Sequence, residues 1–376
     1  MQLTEDKDNN CRIPDQKSIQ PLMAEATALC LKLRIPFVLY RVPGENCIFF
    51  SNPGISNKSI RGIDFRISMW NEPYCDSVVI KDELDETETL SELKTHKPDK
   101  EENTLIFPWP ISTNRLQYEG QLRKVISHLK KRGGKTVISR VVAKPWSHYP
   151  EKWAETANDV FNSYPDAMCC LYYTPTTGAW LCASPELLMD ADIKGRTLHT
   201  IALAGTRKIQ TGNSAEWPDK DVEEHNIVKA YIADSLESLG SKVTISKTET
   251  CRAGKVEHLL TKISANMPEG LTVEKFLDTV NPTPAICGYP TDTALNEIND
   301  TEVHSRYCYG GYISVETQSR VTAFVNLRCV HFNEERMALY AGSGVMPEST
   351  PEGEWEETGA KLSTIGDKIM RKQTEA

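Results

Sequence analysis

Two hydrophobic rhythms alternate along this chain. Near the N-terminus a helix is expected over residues 17–34, interrupted by Pro21. FVLYR (37–41) and CIFF (47–50) read as strands on either side of a PGEN turn, and FRISMW (65–70) as another. Leu122, Val125, Ile126 and Leu129 then recur at helical spacing, up to a stop at Gly133-Gly134. A strand follows at 135–143, a helix at 151–163, and four short strands at 167–174, 179–183, 187–193 and 197–204. A long amphipathic helix is expected over 219–239, ending at Gly240, and a shorter one over 273–280. Strands at 308–316, 320–331 and 336–342 precede a last helix over 351–370. Short strands joined by tight turns, interleaved with helices in no βα alternation, predict an α/β protein of the α+β type. It would be a single large domain of mainly antiparallel sheet covered by helices. Residues 1–15 read as a polar tail and 16–376 as the domain. Its segment 82–103, rich in Asp, Glu and Lys, is expected to be a solvated insertion or surface helix without a site.

Composition narrows the classes. With 376 residues, 39% hydrophobic and 25% charged, the chain is ordinary globular material. A net charge of −9 argues against general nucleic-acid binding, which needs a basic surface, but leaves room for a local basic pocket. The start MQLTEDKDNN carries no apolar signal segment, and no apolar run reaches the ~18 residues of a membrane span. The 11 cysteines form no CxxC, so reduced, mostly buried thiols in a cytoplasmic protein are expected.

Several charged residues stand where core residues belong. On the 219–239 helix the stripe Val228, Tyr231, Ile232, Leu236, extended back four residues, reaches Glu224. An exposed first turn, where Glu suits the helix dipole, is the alternative. On the last helix Glu354, Glu357 and Lys361 run along the edge of an apolar face formed by Trp355, Leu362, Ile365 and Ile369. They make either a solvated charge stripe or a pair of hard oxygen ligands with a cation beside them. Glu186, in WLCASPELLMD, is a turn residue or a carboxyl whose pKa burial near Trp180, Leu187 and Leu188 would raise. Lys135 is a strand-end surface lysine or a partly buried base with a lowered pKa. Arg328, inside the apolar string VTAFVNLRCV, needs an anionic partner, internal or bound.

Taken in order, KTVISR (135–140), ASPELL (183–188), LAGT (203–206), EEHNIV (223–228), VEHLLT (256–261), PTPAICG (282–288), YGGYIS (309–314), VNLRC (325–329), YAGSGV (340–345) and PEGEWEETGAKL (351–362) resemble the chorismate-utilising enzyme family. The resemblance covers 135–362 closely and the first 110 residues only loosely. It implies the fold of that family, shared with anthranilate synthase component I, with 111–376 as its catalytic core. It also implies Lys135 as the base that activates water and Glu186 as the acid at the departing 4-hydroxyl. Glu224 and Glu357 match Mg²⁺ ligands, with Glu354 as a close or water-mediated one. Tyr309, Arg328, Gly342 and Lys361 match positions that hold carboxylates, and Gly205, Thr206, His258 and Ala285 match positions that line the ring. One departure is Asn281, where the family usually has His before PTPA.

Within the family, ammonia-using members lack a lysine at the Lys135 position, so water is the expected nucleophile. Salicylate-forming members keep it and then eliminate pyruvate. PTPAI, with Ala285 and Ile286, resembles those that stop at isochorismate. A catalytically silent chorismate-binding protein would be expected to lack Lys135 or Glu186. The implied partner is the small molecule chorismate, with no nucleic acid, membrane or obligate protein partner, in a monomer. The resemblance leaves open whether the product feeds menaquinone or a siderophore.

Overall fold

The computed structural model describes residues 18–54, 59–94, 108–146, 150–209, 216–253 and 256–374. The tail expected over 1–15 lies outside these residues. Two antiparallel sheets dominate. In the first, the strands lie in the order Gly288–Tyr289, Lys135–Pro145, Arg336–Val345, Cys329–Phe332, Gly178–Ser184, Met168–Thr174, Phe37–Arg41 and Ile48–Ser51. In the second the order is Val243–Ile245, Val256–Asn266, Thr197–Lys208, Leu187–Asp192, Arg320–Val325, Tyr312–Glu316, Asp64–Ser68 and Val78–Lys81. Glu249–Ala253 also pairs with Val256–Asn266.

The inner faces of the sheets share one core. Tyr40, Tyr172 and Trp180 of the first sheet meet Phe65, Ala202 and Val321 of the second. Strands packed on both faces, such as MCCLYYT over Met168–Thr174, are buried at every position, which is why they read as continuous apolar runs and not as alternation. The outer face of the first sheet is covered by Pro21–Leu33, Glu151–Ser163 and the last helix, Pro351–Thr374. Pro21 begins its helix and does not interrupt it, because a proline at the first helical position costs no hydrogen bond. Among the described residues, no helix is long and apolar enough to cross a membrane.

Two short passages, of two and three residues, carry the chain from one sheet to the other. The chain crosses from the first to the second at residues 185–186, between strands Gly178–Ser184 and Leu187–Asp192. It crosses back at 326–328, between Arg320–Val325 and Cys329–Phe332. The expected single strand over 320–331 is therefore two strands in different sheets, and Arg328 sits in the crossing, at φ +48°. The crossings are stitched together. Val325 N–H donates to Glu186 O at 3.0 Å, Ala183 N–H to Arg328 O at 3.1 Å, and the Ser184 hydroxyl to Val325 O at 2.5 Å. The charged segment starting at residue 82 does carry a surface helix, Glu86–Leu93, closed by a capping box from Asp85. Asp82 departs from that reading: it is fully buried and accepts from the Ser59 hydroxyl and the Arg61 and Ile63 amides.

Trp153 ties the helical cover to the first sheet. Its ring stacks on Phe332 with centroids 3.6 Å apart, and both side chains are buried. Trp153→Ala is expected to cost about 3–5 kcal/mol in urea unfolding. A loss below about 1 kcal/mol would mean that the helix does not depend on this contact.

Candidate active site

Between the two sheets, beside the two crossings, lies a chamber of about 50 Å³. Glu186 from one crossing and Arg328 from the other line it. So do Thr206, Glu224, His258, Ala285, Tyr309, Gly342 and Lys361, which come from far-separated parts of the chain. Lys135 does not line the chamber; its ammonium lies behind the wall, against Glu224, which does. Of the residues expected from the sequence, Glu354 and Glu357 do not line the chamber but a neighbouring cavity of about 290 Å³. Gly205 does not line the chamber. It forms a bulge against Val256–Asn266 at φ +74°, where a Cβ would meet Asp221 O at 2.9 Å. Asn281 lies outside the chamber and ends the helix Val273–Val280, donating its N–H to Leu277 O.

The bulge aims the ring-lining residues. It puts Thr206 opposite His258, and His258 Nδ1 lies 3.1 Å from both Gly205 O and the Thr206 hydroxyl. On the other side of the ring, Arg328 Nη2 lies 3.2 Å from Nε2. A guanidinium only donates, so Nε2 accepts and Nδ1 carries the proton. Burial, with Arg328 and Lys361 nearby, holds the imidazole well below its ordinary pKa, in the neutral form.

Charge organises the rest. Lys135 is buried, and its ammonium lies 2.8 Å from Glu224. Lys220 lies 2.7 Å from Glu354, and Lys361 lies 2.7 Å from Glu357 while donating to Gly342 O at 3.0 Å. Each of the three carboxylates thus has its own lysine. Burial pushes the Glu224 carboxyl up, but Lys135, Lys220 and Lys361 outweigh it and hold the group below the usual range. At Glu357, burial together with Glu354 and Glu224 prevails over Lys361, and the pKa rises to about 7.

Two charged groups that line the chamber lack such a partner among the described residues. Arg328 is buried, and no carboxylate lies within 4 Å of it. Its guanidinium donates to the Thr364 hydroxyl at 2.8 Å and to His258. Glu186 is also buried without an ion pair. Burial raises its pKa to about 7, against the opposing pull of Lys135, Lys361 and Arg328. The raised pKa agrees with the sequence expectation, and of the three expected neighbours Leu187 and Leu188 do border a small cavity together with Glu186 while Trp180 does not. Trp180 stacks on His331 with centroids 4.8 Å apart and does not line the chamber.

Three contributors were not singled out from sequence. Lys220 lies four residues before Glu224, so carrying the helical stripe back one more turn would have found it. Gly344 alternates with Gly342 on the strand Arg336–Val345. A Cβ there would run into Glu224 Oε1 and would lie 2.6 Å from Lys135 Cε, so glycine makes room for that ion pair. Thr364, which holds Arg328, gives no signal in sequence.

A family model described as chorismate binding enzyme matches residues 63–370, reaching back into the part that resembled the family only loosely. Isochorismate synthase EntC of Escherichia coli (strain K12) is 33% identical over 201 residues, half of each chain. The salicylate biosynthesis isochorismate synthase of Pseudomonas aeruginosa is 29% identical over 267 residues, 68% of this chain and 55% of that relative. The matched part thus spans about half the length of these curated relatives. In fold, the chain is similar to the menaquinone-specific isochorismate synthase MenF of Escherichia coli, with TM-score 0.74, 17% identity, and coverage of 95% of this chain and 92% of that one. It is also similar to anthranilate synthase component I of Streptococcus pneumoniae, with TM-score 0.62, 16% identity and coverage of 88% and 89%. The expected fold class is the one observed.

A carboxyl whose folded pKa lies above its unfolded value stabilises the fold at low pH, where it stays protonated. That stability is lost as pH rises through the folded pKa. For Glu186 the window runs from the ordinary carboxylate range up to about 7. Glu186→Gln, which cannot ionise, should therefore gain on the wild type between pH 5 and pH 8, by on the order of 1–3 kcal/mol. A stability difference flat across that range, measured by chemical denaturation, would show that Glu186 titrates normally.

Proposed function

The chain belongs to the chorismate-binding enzyme family, and within it we propose the activity of an isochorismate synthase, which isomerises chorismate to isochorismate. The observation that carries this reading is one chamber lined by an acid with a pKa near neutrality and an arginine without a carboxylate, with a buried lysine held against its Glu224.

Chorismate carries two carboxylates, and one of them supplies the anion that Arg328 lacks. Lys361 and the Tyr309 hydroxyl, beside the space that Gly342 leaves open, complete the polar wall. Thr206, Ala285 and His258 flank the ring, with the neutral imidazole adding no charge there. Water adds at C2 and gives its proton to the Lys135 nitrogen, which accepts it only as the free amine and so must first part from Glu224 and release a proton to solvent. The ring double bonds shift and the C4–oxygen bond breaks. The departing hydroxyl takes the proton of Glu186 and leaves as water, so the net change is an isomerisation. Glu186 donates well because it keeps its proton close to pH 7. Solvent exchange returns Lys135 and Glu186 to their starting states.

Mg²⁺ is the proposed cofactor, held by Glu224 and Glu357 with Glu354 close by. The donor set suits it: hard oxygens from two helices, a buried Glu354 Oε2 without a hydrogen-bond partner, and a Glu357 carboxyl raised by its acidic neighbours. As they stand, no three His, Cys, Asp or Glu side chains converge on one point among the described residues, since lysines hold the carboxylates. Lys135 and Lys220 would have to yield. When bound, the ion would fix and neutralise a substrate carboxylate.

Incubation with chorismate and Mg²⁺ should yield isochorismate, identified by chromatography, without pyruvate or an aminated product. Excess chelator should abolish turnover, and full activity in chelator would remove the metal from this reading. Lys135→Gln and Glu186→Gln should each lower kcat by about 10²–10⁴-fold, with chorismate affinity nearly unchanged. Arg328→Ala should lower kcat/KM by about two orders of magnitude or more. Poor binding with normal kcat in the first two variants would make Lys135 and Glu186 binding groups.

A further inference from the structure

A larger cavity lies directly behind the chamber wall. It occupies about 510 Å³, within the range of small-molecule sites, between the turn at 163–167, the strand pair of Glu249–Ala253 with Val256–Asn266, and the last helix. Only Pro185, Leu203 and Arg328 belong to both cavities.

Arg328 faces both ways. Its Nη2 points to His258, which lines the inner chamber and not the outer cavity. Its Nη1 points to the Thr364 hydroxyl, which lines the outer cavity and not the chamber. Thr364 is itself steadied by Tyr164, whose hydroxyl donates to its carbonyl at 2.5 Å. One guanidinium without a carboxylate therefore presents a donor to each space.

The outer cavity has the chemistry for a small organic anion. Arg252, Arg328 and Lys368 line it against Asp166 and Asp367, an excess of one positive charge. Arg252 leans on Glu257 at 3.5 Å, but among the described residues no carboxylate lies within 4 Å of the Lys368 ammonium. Ala183, Leu203, Leu260 and the Tyr164 ring also line it and give apolar surface that suits a flat ring.

We propose that this cavity is a second binding site, for a small aromatic monocarboxylate, whose carboxylate is held by Lys368 and the outward Nη1 of Arg328. A carboxylate there takes Nη1 from Thr364 and draws the guanidinium away from the chamber, so occupancy weakens chorismate binding. That kinetic consequence rests on Arg328 gripping chorismate; the binding itself does not.

The test is calorimetric titration of the whole protein with 2-hydroxybenzoate, with benzamide as the uncharged control. Two variants outside the catalytic set are compared: Lys368→Glu, which reverses the free charge, and Leu260→Trp, which fills the cavity. The wild type should bind 2-hydroxybenzoate and not benzamide, and both variants should bind it at least ~10-fold more weakly, the loss of one charge-assisted contact or of the space. Chorismate turnover without the probe should stay within about two-fold of wild type, and the probe should raise the apparent KM of the wild type alone. No binding to the wild type, equal binding of benzamide, or undiminished affinity in both variants would overturn the proposal. If the protein turns over no chorismate at all, the proposed function fails while the calorimetric comparison still decides the site.

Discussion

A charge taken out of water must find an opposite charge, or give up or take up a proton, because its lost hydration is worth more than any single contact returns. The seam between the two sheets is built around that constraint. Three buried or half-buried carboxylates, Glu224, Glu354 and Glu357, are each matched by a lysine within 2.8 Å. What remains after this pairing is the chemically useful part. Arg328 is left with a hydroxyl and an imidazole, and Glu186 is left to answer its burial by keeping its proton up to about 7. In the proposed reaction, a dicarboxylate would bring the missing anion to Arg328, and a breaking C–O bond would bring a use for the proton on Glu186.

The backbone explains why these two residues are the unpaired ones. Each stands where the chain leaves one sheet for the other, at 185–186 and at 326–328. Both side chains line the chamber between the sheets. The hydrogen bonds between the crossings, from Val325 to Glu186 and from Ala183 to Arg328, fix them side by side. The left-handed backbone of Arg328 is uncommon for a residue with a Cβ, and strain of this kind gathers where the surrounding structure over-determines a functional position.

Much of this was legible in the sequence, for identifiable reasons. The helices Glu151–Ser163 and Val273–Val280 were read to the residue because their apolar faces are regular and their ends are marked. The helical stripe also placed Glu224 on an inward face, where the structure buries it. The strand Arg320–Val325 and its successor were read as one because Asn326, Leu327 and Arg328 carry no Gly or Pro to mark a break. The strands Val243–Ile245 and Glu249–Ala253 were missed because they are exposed and rich in Thr and charged residues, as was the helix Thr291–Thr301. Sequence assigned Lys135 and Glu224 separate duties. Their ion pair joins strand Lys135–Pro145 to helix Asp219–Ser238, and no local pattern records a contact made across the fold.

The central claim is that the chamber keeps Glu186 protonated near neutral pH beside buried cations. Infrared difference spectroscopy between the wild type and Glu186→Gln, recorded from pH 5 to pH 9, reads that proton directly. The account predicts a protonated-carboxyl band, present in the wild type alone, that fades with a midpoint of about 7. A Glu186 carboxyl already ionised at pH 5 would contradict it.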